Sequence, residues 1–220
     1  MSLFSVLKEA CGDGDIGCIS KYFLTGVLPA FRSGMGPLTA TRMISGIPEF
    51  HGMCGLTSKQ VKIVIDAYLG PSAGRSFHDV FWAIRKYYGG NYFAHWSTNE
   101  LNRIYNPQLV FYYLSTIKQG GLVTALEDSP ANHITKILKS VADTGQFSAE
   151  DFVRLVATGY YRTVILKDFG FVDLMKTSGK DRAVTLSLLV YLGVLTRDVQ
   201  PNTVRIPNEM MKASVCISPD

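Results

Sequence analysis

The chain has 220 residues, of which 47% are hydrophobic, 11% aromatic and 18% charged, with a formal net charge of +4. At roughly 100 to 200 residues per domain this is one large domain or one and a half small ones, and the apolar fraction with a mean hydropathy of +0.13 excludes a disordered, solvating tail. The charge balance falls well short of the clustered basic stripe of a nucleic-acid binder.

Leu186 to Leu195 is the longest apolar run, about half of the roughly 20 residues that a bilayer span needs. No membrane helix is expected. The opening Met-Ser-Leu-Phe-Ser-Val-Leu-Lys carries its charge after the apolar residues and has no basic leader, unlike a secretory signal, so the expected location is intracellular, cytoplasmic or nuclear. Cys11, Cys18, Cys54 and Cys216 include no Cys-x-x-Cys pair and read as reduced thiols.

The first predicted element is Lys21 to Pro29, a short apolar run closed by Gly26 and Pro29, as in a buried strand leaving a sheet. Phe31 to Gly55 is rich in glycine and proline and reads as loop, apart from a helical turn near Thr39 to Ser45. Thr57-Ser58-Lys59-Gln60 has the form of a capping box, and Val61, Val64, Ile65, Tyr68 and Leu69 follow at helical spacing. Ser76 and Asp79 predict a second helix start, with Phe77, Phe81, Ile84 and Tyr88 as an inward stripe and Gly89-Gly90 as its stop. Asn106-Pro107 predicts a third, cap followed by proline at the first helical position, with Val110, Phe111, Leu114 and Ile117 inward. Further helices are expected over 131–142, over 148–158 with Ser148 and Asp151 as a cap pair, and over 180–192, the last apolar nearly all round and therefore central. Val194 to Thr196 and Thr203 to Ile206 predict a hairpin, and a final helix starts at Glu209.

The pieces of several familiar chemistries are missing from the sequence. No Gly-x-x-x-x-Gly-Lys-Ser/Thr is present to surround a phosphate chain; Gly52-Met53-Cys54-Gly55 ahead of Thr57-Ser58-Lys59 lacks the Gly-Lys step. Glu49, Asp66, Asp79, Asp151, Asp168 and Asp173 stand singly, with no paired carboxylates to hold magnesium. His51, His78, His95 and His133 have no metal-ligand spacing. There is no Gly-x-Ser-x-Gly elbow, and Asp198 to Arg205 holds no Glu-x-Lys nuclease element.

A resemblance organises these facts. Tyr22-Phe23-Leu24-Thr25-Gly26-Val27, Pro48 to Thr57, Tyr87 to Phe93, Tyr105-Asn106-Pro107, Leu192 to Thr196 and Arg205-Ile206-Pro207-Asn208-Glu209, in that order, resemble segments of the AAA-ATPase-like family of fungi and bacteria whose members often carry a restriction-endonuclease-like domain. Gly89, Asn91 and Tyr92 depart from the residues usual in that family. The resemblance implies the second half of the module: mainly α with a small β component, a helical AAA-type lid with a winged-helix-like hairpin, plus a remnant strand of the P-loop α/β sheet. Residues 1–55 would be the remnant of the ATPase core and 56–220 the lid. It implies Thr25 as a nucleotide sensor and Arg32 and Arg42 as phosphate contacts. The chain alone would hold no cofactor; ATP and magnesium, and an upstream ATPase half as partner, are implied by the family only. Two other readings stay open. One is a nucleic-acid-binding winged-helix-like module using Lys136, Lys139, Arg182, Arg197 and Arg205; the other is a homo-oligomeric scaffold that covers exposed sheet edges.

Overall fold

In the computed structural model of the chain, residues 19, 21, 23, 44, 46–70, 76–93, 103–120, 147–166 and 182–217 are described. Among them six α-helices and five short strands form a mainly helical body with two small antiparallel sheets.

Helix α1 (Ser58–Leu69) begins at its predicted capping box. The Thr57 hydroxyl accepts from the Gln60 amide at 3.3 Å, and Gln60 Oε1 accepts from the Thr57 amide at 2.8 Å. Val61 and Ile65 are buried, and Val64, Tyr68 and Leu69 pack at the margin of the same core. Helix α2 (Phe77–Tyr88) buries Val80, Phe81, Ile84 and Tyr88. Here two expectations are corrected: Ser76 makes no side-chain cap hydrogen bond, and Phe77 stays 39% exposed. At the first helical position Phe77 lies beyond the end of the core and stacks on Phe81, while Val80 takes the inward place.

Helix α3 (Pro107–Lys118) starts as predicted, with Asn106 Oδ1 accepting from the Gln108 amide at 2.9 Å. It buries Leu109, Val110, Tyr113, Leu114 and Ile117. Phe111, expected inward, is exposed and meets the edge of Tyr68. The three helices pack on one another in every pairing. Strands β1 (Leu56–Thr57) and β2 (Ile104–Tyr105) lie at their base in antiparallel register, Leu56 opposite Tyr105.

The second lobe starts at helix α4 (Ala149–Thr158), capped by the predicted Ser148 and Asp151 pair and ended by Gly159 in the left-handed conformation, φ 80°. Strand β3 (Tyr161–Arg162), helix α5 (Arg182–Tyr191) and strands β4 (Thr196–Arg197) and β5 (Thr203–Arg205) follow. The predicted hairpin is β4–β5. Strand β3, which the sequence did not suggest, pairs with the other side of β5 and makes the order β3-β5-β4. Phe147, Phe152, Leu155, Leu186, Leu189, Val194, Leu195 and Val204 fill the core beneath this sheet. Helix α5 is central, as its all-round apolar surface requires. Its one fully buried hydroxyl is satisfied locally: Ser187 Oγ donates to the Ala183 carbonyl at 2.6 Å and accepts from the Leu166 amide at 2.9 Å.

Helix α6 (Glu209–Ile217) joins the two lobes. Its Met210 and Met211 enter the first core and its Val215 the second, and it packs on both α2 and α4. The predicted helix over 131–142 and most of the predicted strand over 21–29 lie outside the described residues. Lys21 and Phe23 of that strand are described; neither is in a strand, and Phe23 is 63% exposed, so at these two positions the buried remnant strand is not found. Of the expected 1–55 remnant, the described end packs onto the rest of the body through Gly55, whose backbone runs against Ile104.

Candidate functional site

The two lobes meet along a seam built on Gly89 to Phe93. After α2 the chain must leave the helix and pass directly under the other lobe. Gly90 does so at φ +108°, where a Cβ would overlap the Pro207 carbonyl oxygen, so only glycine fits. Beside it, the Tyr92 amide donates to Thr196 Oγ1 at 2.7 Å and Thr196 Oγ1 donates to the Tyr92 carbonyl at 3.3 Å, both in the buried interior. The Arg205 guanidinium lies 5.5 Å from the centre of the Tyr92 ring. On the far side His51 stacks on Tyr92 and its Nδ1 accepts from the Phe93 amide at 3.3 Å.

Next to this seam a groove of about 560 Å³ opens between α2, the C-terminal end of α4 and the start of α6. Its cations come from four chain segments: Arg85 and Lys86 from α2, Arg103 from the approach to β2, Arg205 from β5 and Lys212 from α6. Glu209 is its one acid. Half-buried Val156 and Ile206 lie at its base, with buried Leu155 and Pro207 behind them, and Trp82, 45% exposed, stands at the side. Trp82 is held in place from two directions. Its Nε1 donates to His78 Nε2, and the Arg85 guanidinium lies 4.6 Å from its ring centre. Asn208 caps α6, its Oδ1 accepting from the Met211 amide at 3.0 Å, and so occupies one of the free donors at that helix start. Arg205 Nε is buried and has no hydrogen-bond partner among the described residues; the nearest carboxylate oxygen, on Asp198, is 3.8 Å away.

Two other cations of the second lobe bond to side chains of the same lobe. Arg182 reaches Asp151 at 3.0 Å and the Tyr161 hydroxyl at 2.7 Å, tying the start of α5 to α4 and β3. Burial lowers the Arg197 pKa, and a hydrogen bond with Tyr191 acts in the opposite direction. Helix α5 offers Arg182 alone as a charged residue, with Thr185 and Ser187 buried.

Thr25, Arg32 and Arg42 lie outside the described residues, as do Lys136 and Lys139. The groove was not foreseen from the sequence. Its one local signal is the basic last turn of α2, Arg85-Lys86 beside an aromatic residue at position 82. Cys54 is a free, exposed thiol. Among the described residues no group of three or more His, Cys, Asp or Glu side chains gathers to hold a metal ion. Among the described residues no helix is long and apolar enough to cross a membrane. No family model, no curated protein and no solved structure matches the chain.

Proposed function

We propose that the chain is a non-catalytic lid or interaction module of a nucleotide-dependent assembly. The observation that carries this reading is where the family-like segments fall in space. Pro48 to Thr57, Tyr87 to Phe93, Tyr105 to Pro107, Leu192 to Thr196 and Arg205 to Glu209 are far apart in the chain, and chance likenesses would scatter over the fold. They touch one another instead: Gly55 meets the Tyr105 carbonyl within the first lobe, and at the seam His51 meets Tyr92 and Phe93, Thr196 meets Tyr92, and Gly90 meets Pro207. Residues that hold one module together supply the resemblance.

The helix, strand, helix and hairpin of the second lobe, with strand order β3-β5-β4, support a winged-helix-like lid. Duplex binding through α5 is less well supported, because a recognition helix needs polar or cationic side chains along its outward face to read base edges. Arg182 and Arg197 engage Asp151, Tyr161 and Tyr191 instead. On this reading Mg-ATP and its catalytic groups come from an ATPase half outside these 220 residues, with Thr25 as sensor and Arg32 and Arg42 as phosphate contacts.

Isothermal titration of the purified chain with Mg-ATP, combined with a phosphate-release assay, tests the proposal. The expected result is no release above buffer and no micromolar affinity. Micromolar binding with turnover overturns it.

A further inference from the structure

The two lobes share a helix but not a core. Among the described residues each core is filled from its own lobe and from α6, and half-buried Ile206 packs against both. Tyr92 and Thr196, 8% and 2% exposed, are buried between the lobes and belong to neither core. Their contact is polar. One hydroxyl, Thr196 Oγ1, accepts from the Tyr92 amide at 2.7 Å and donates to the Tyr92 carbonyl at 3.3 Å.

Each side of this contact is anchored within its own lobe. Asn91 is bridged to Ile104 of β2, its amide donating at 3.3 Å and its carbonyl accepting at 3.1 Å, and the Phe93 amide donates to His51 Nδ1. Thr196 lies in β4 opposite Arg205 of β5, and Arg205 pairs with Asp198 at 3.8 Å. Three successive amides are therefore held differently: Asn91 and Phe93 by the first lobe, Tyr92 by the second.

Parting this contact is cheap beside opening a core. Water can take the place of the hydroxyl at both Tyr92 groups, so the net loss is that of an ordinary exchange of hydrogen bonds. Opening either core instead brings fully buried side chains such as Leu114 and Leu189 into water. Units of one chain joined by a small polar contact move relative to one another unless a large apolar interface forbids it. Here the apolar continuity among the described residues runs through one stretch of chain, from Ile206 to Val215.

We propose that Thr196 is a latch: the three-stranded lobe swings away from Gly89 to Phe93 about the stretch Ile206 to Val215, releasing the Tyr92 backbone and widening the groove beside the seam while both cores stay folded. The proposal stands on the seam and not on the lid reading, which fails separately, on ATP turnover by the chain.

Amide hydrogen exchange of the full chain, followed residue by residue by NMR at rising sub-denaturing urea, tests the latch. The Tyr92 amide should exchange faster than that of Asn91 and than amides in the middle of α3 and α5, with a urea dependence that is measurable but weaker than theirs, because only part of the surface is exposed. Thr196→Val keeps the shape of the side chain and removes the hydroxyl. It should speed Tyr92 exchange by about tenfold or more and leave Asn91, α3 and α5 within about twofold. Thr196→Ser retains the hydroxyl and should retain the slower exchange.

Exchange of Tyr92 at the rate and urea dependence of the core amides overturns the proposal, because the seam then opens only with the whole molecule. Exchange of Tyr92 together with Asn91 overturns it as fraying of one segment, and exchange indifferent to urea overturns it as a local fluctuation. So does an unchanged Tyr92 rate in folded Thr196→Val; if that variant does not fold, the three comparisons on the unmodified chain decide.

Discussion

Between the helices of the first lobe, Gly55, Gly89 and Gly90 stand where another part of the chain comes too close for a side chain; in the three-stranded lobe, as at Gly70 and Gly120 at helix ends of the first, glycines stand where the chain turns. A Cβ on Gly89 would come within 2.7 Å of the Tyr105 ring, and one on Gly90 would overlap Pro207, whereas Gly159 and Gly193 take φ of +80° and +76° with nothing within 4 Å. The first kind records contact between distant parts of the sequence, and the second a local stop. Charge does not divide in this way: the helical lobe turns Arg85 and Lys86 to the groove and the three-stranded lobe adds Arg205 from β5, while its Arg182 and Arg197 bond to side chains of the same lobe.

The largest effects test whether the two lobes are one cooperative unit. Leu114 and Leu189 are both fully buried, each in the centre of its own core. Truncating either to alanine should cost about 2–5 kcal/mol, the transfer term plus the cavity. Because α6 places Met210 and Met211 in one core and Val215 in the other, either change should lower amide-exchange protection in both lobes. If Leu189→Ala leaves the amides of α2 and α3 fully protected, the lobes are separate folding units and the comparison loses its basis.

The two kinds of glycine predict a smaller and ordered pair of effects. Gly159→Ala meets only the left-handed backbone penalty, roughly 1 kcal/mol. Gly90→Ala adds to an unfavourable φ an overlap with backbone that no side chain can relieve, and should cost more than about 2 kcal/mol. Urea denaturation of the two variants checks the order. Equal costs would mean that Gly90, too, is only a turn.

What the sequence disclosed follows the same division between local and distant. Thr57 with Gln60, Asn106 with Pro107, and Ser148 with Asp151 are bonds between residues two or three apart, or fixed ring geometry, and their helices begin where the pattern puts them. Ser76 carries the same kind of signal without forming the bond. Strands β1, β2 and β3 are two residues long, too short to display an alternation of apolar and polar residues. The groove was illegible for a different reason. Its cations run from position 85 to position 212, and only the packing of α2 against α6 brings them together. The fold class, mainly helical with small antiparallel sheets, needed only local signals and was read; the site needed the long-range ones.

The smallest predicted effect is absent at neutral pH and belongs to the helical lobe alone. Tyr88, 4% exposed and 5.7 Å from the ring of Tyr113, has its phenol pushed up to about 12, chiefly by burial, with Tyr112, Tyr113 and Tyr87 adding to it. Below the ordinary tyrosine value near 10 both the folded and the unfolded chain keep this proton, and stability does not depend on it. Above that value the unfolded chain releases the proton while the folded chain retains it, so the unfolded state binds fewer protons and stability falls as pH rises through the window from about 10 to about 12. Tyr88→Phe has no proton to lose. Its stability curve should run parallel to that of the unmodified chain at lower pH and fall less steeply within the window, as followed by urea denaturation at a series of pH values. Parallel curves throughout would mean that water reaches the phenol, and that the core between α2 and α3 is less closed than the packing of Tyr88 on Tyr113 describes.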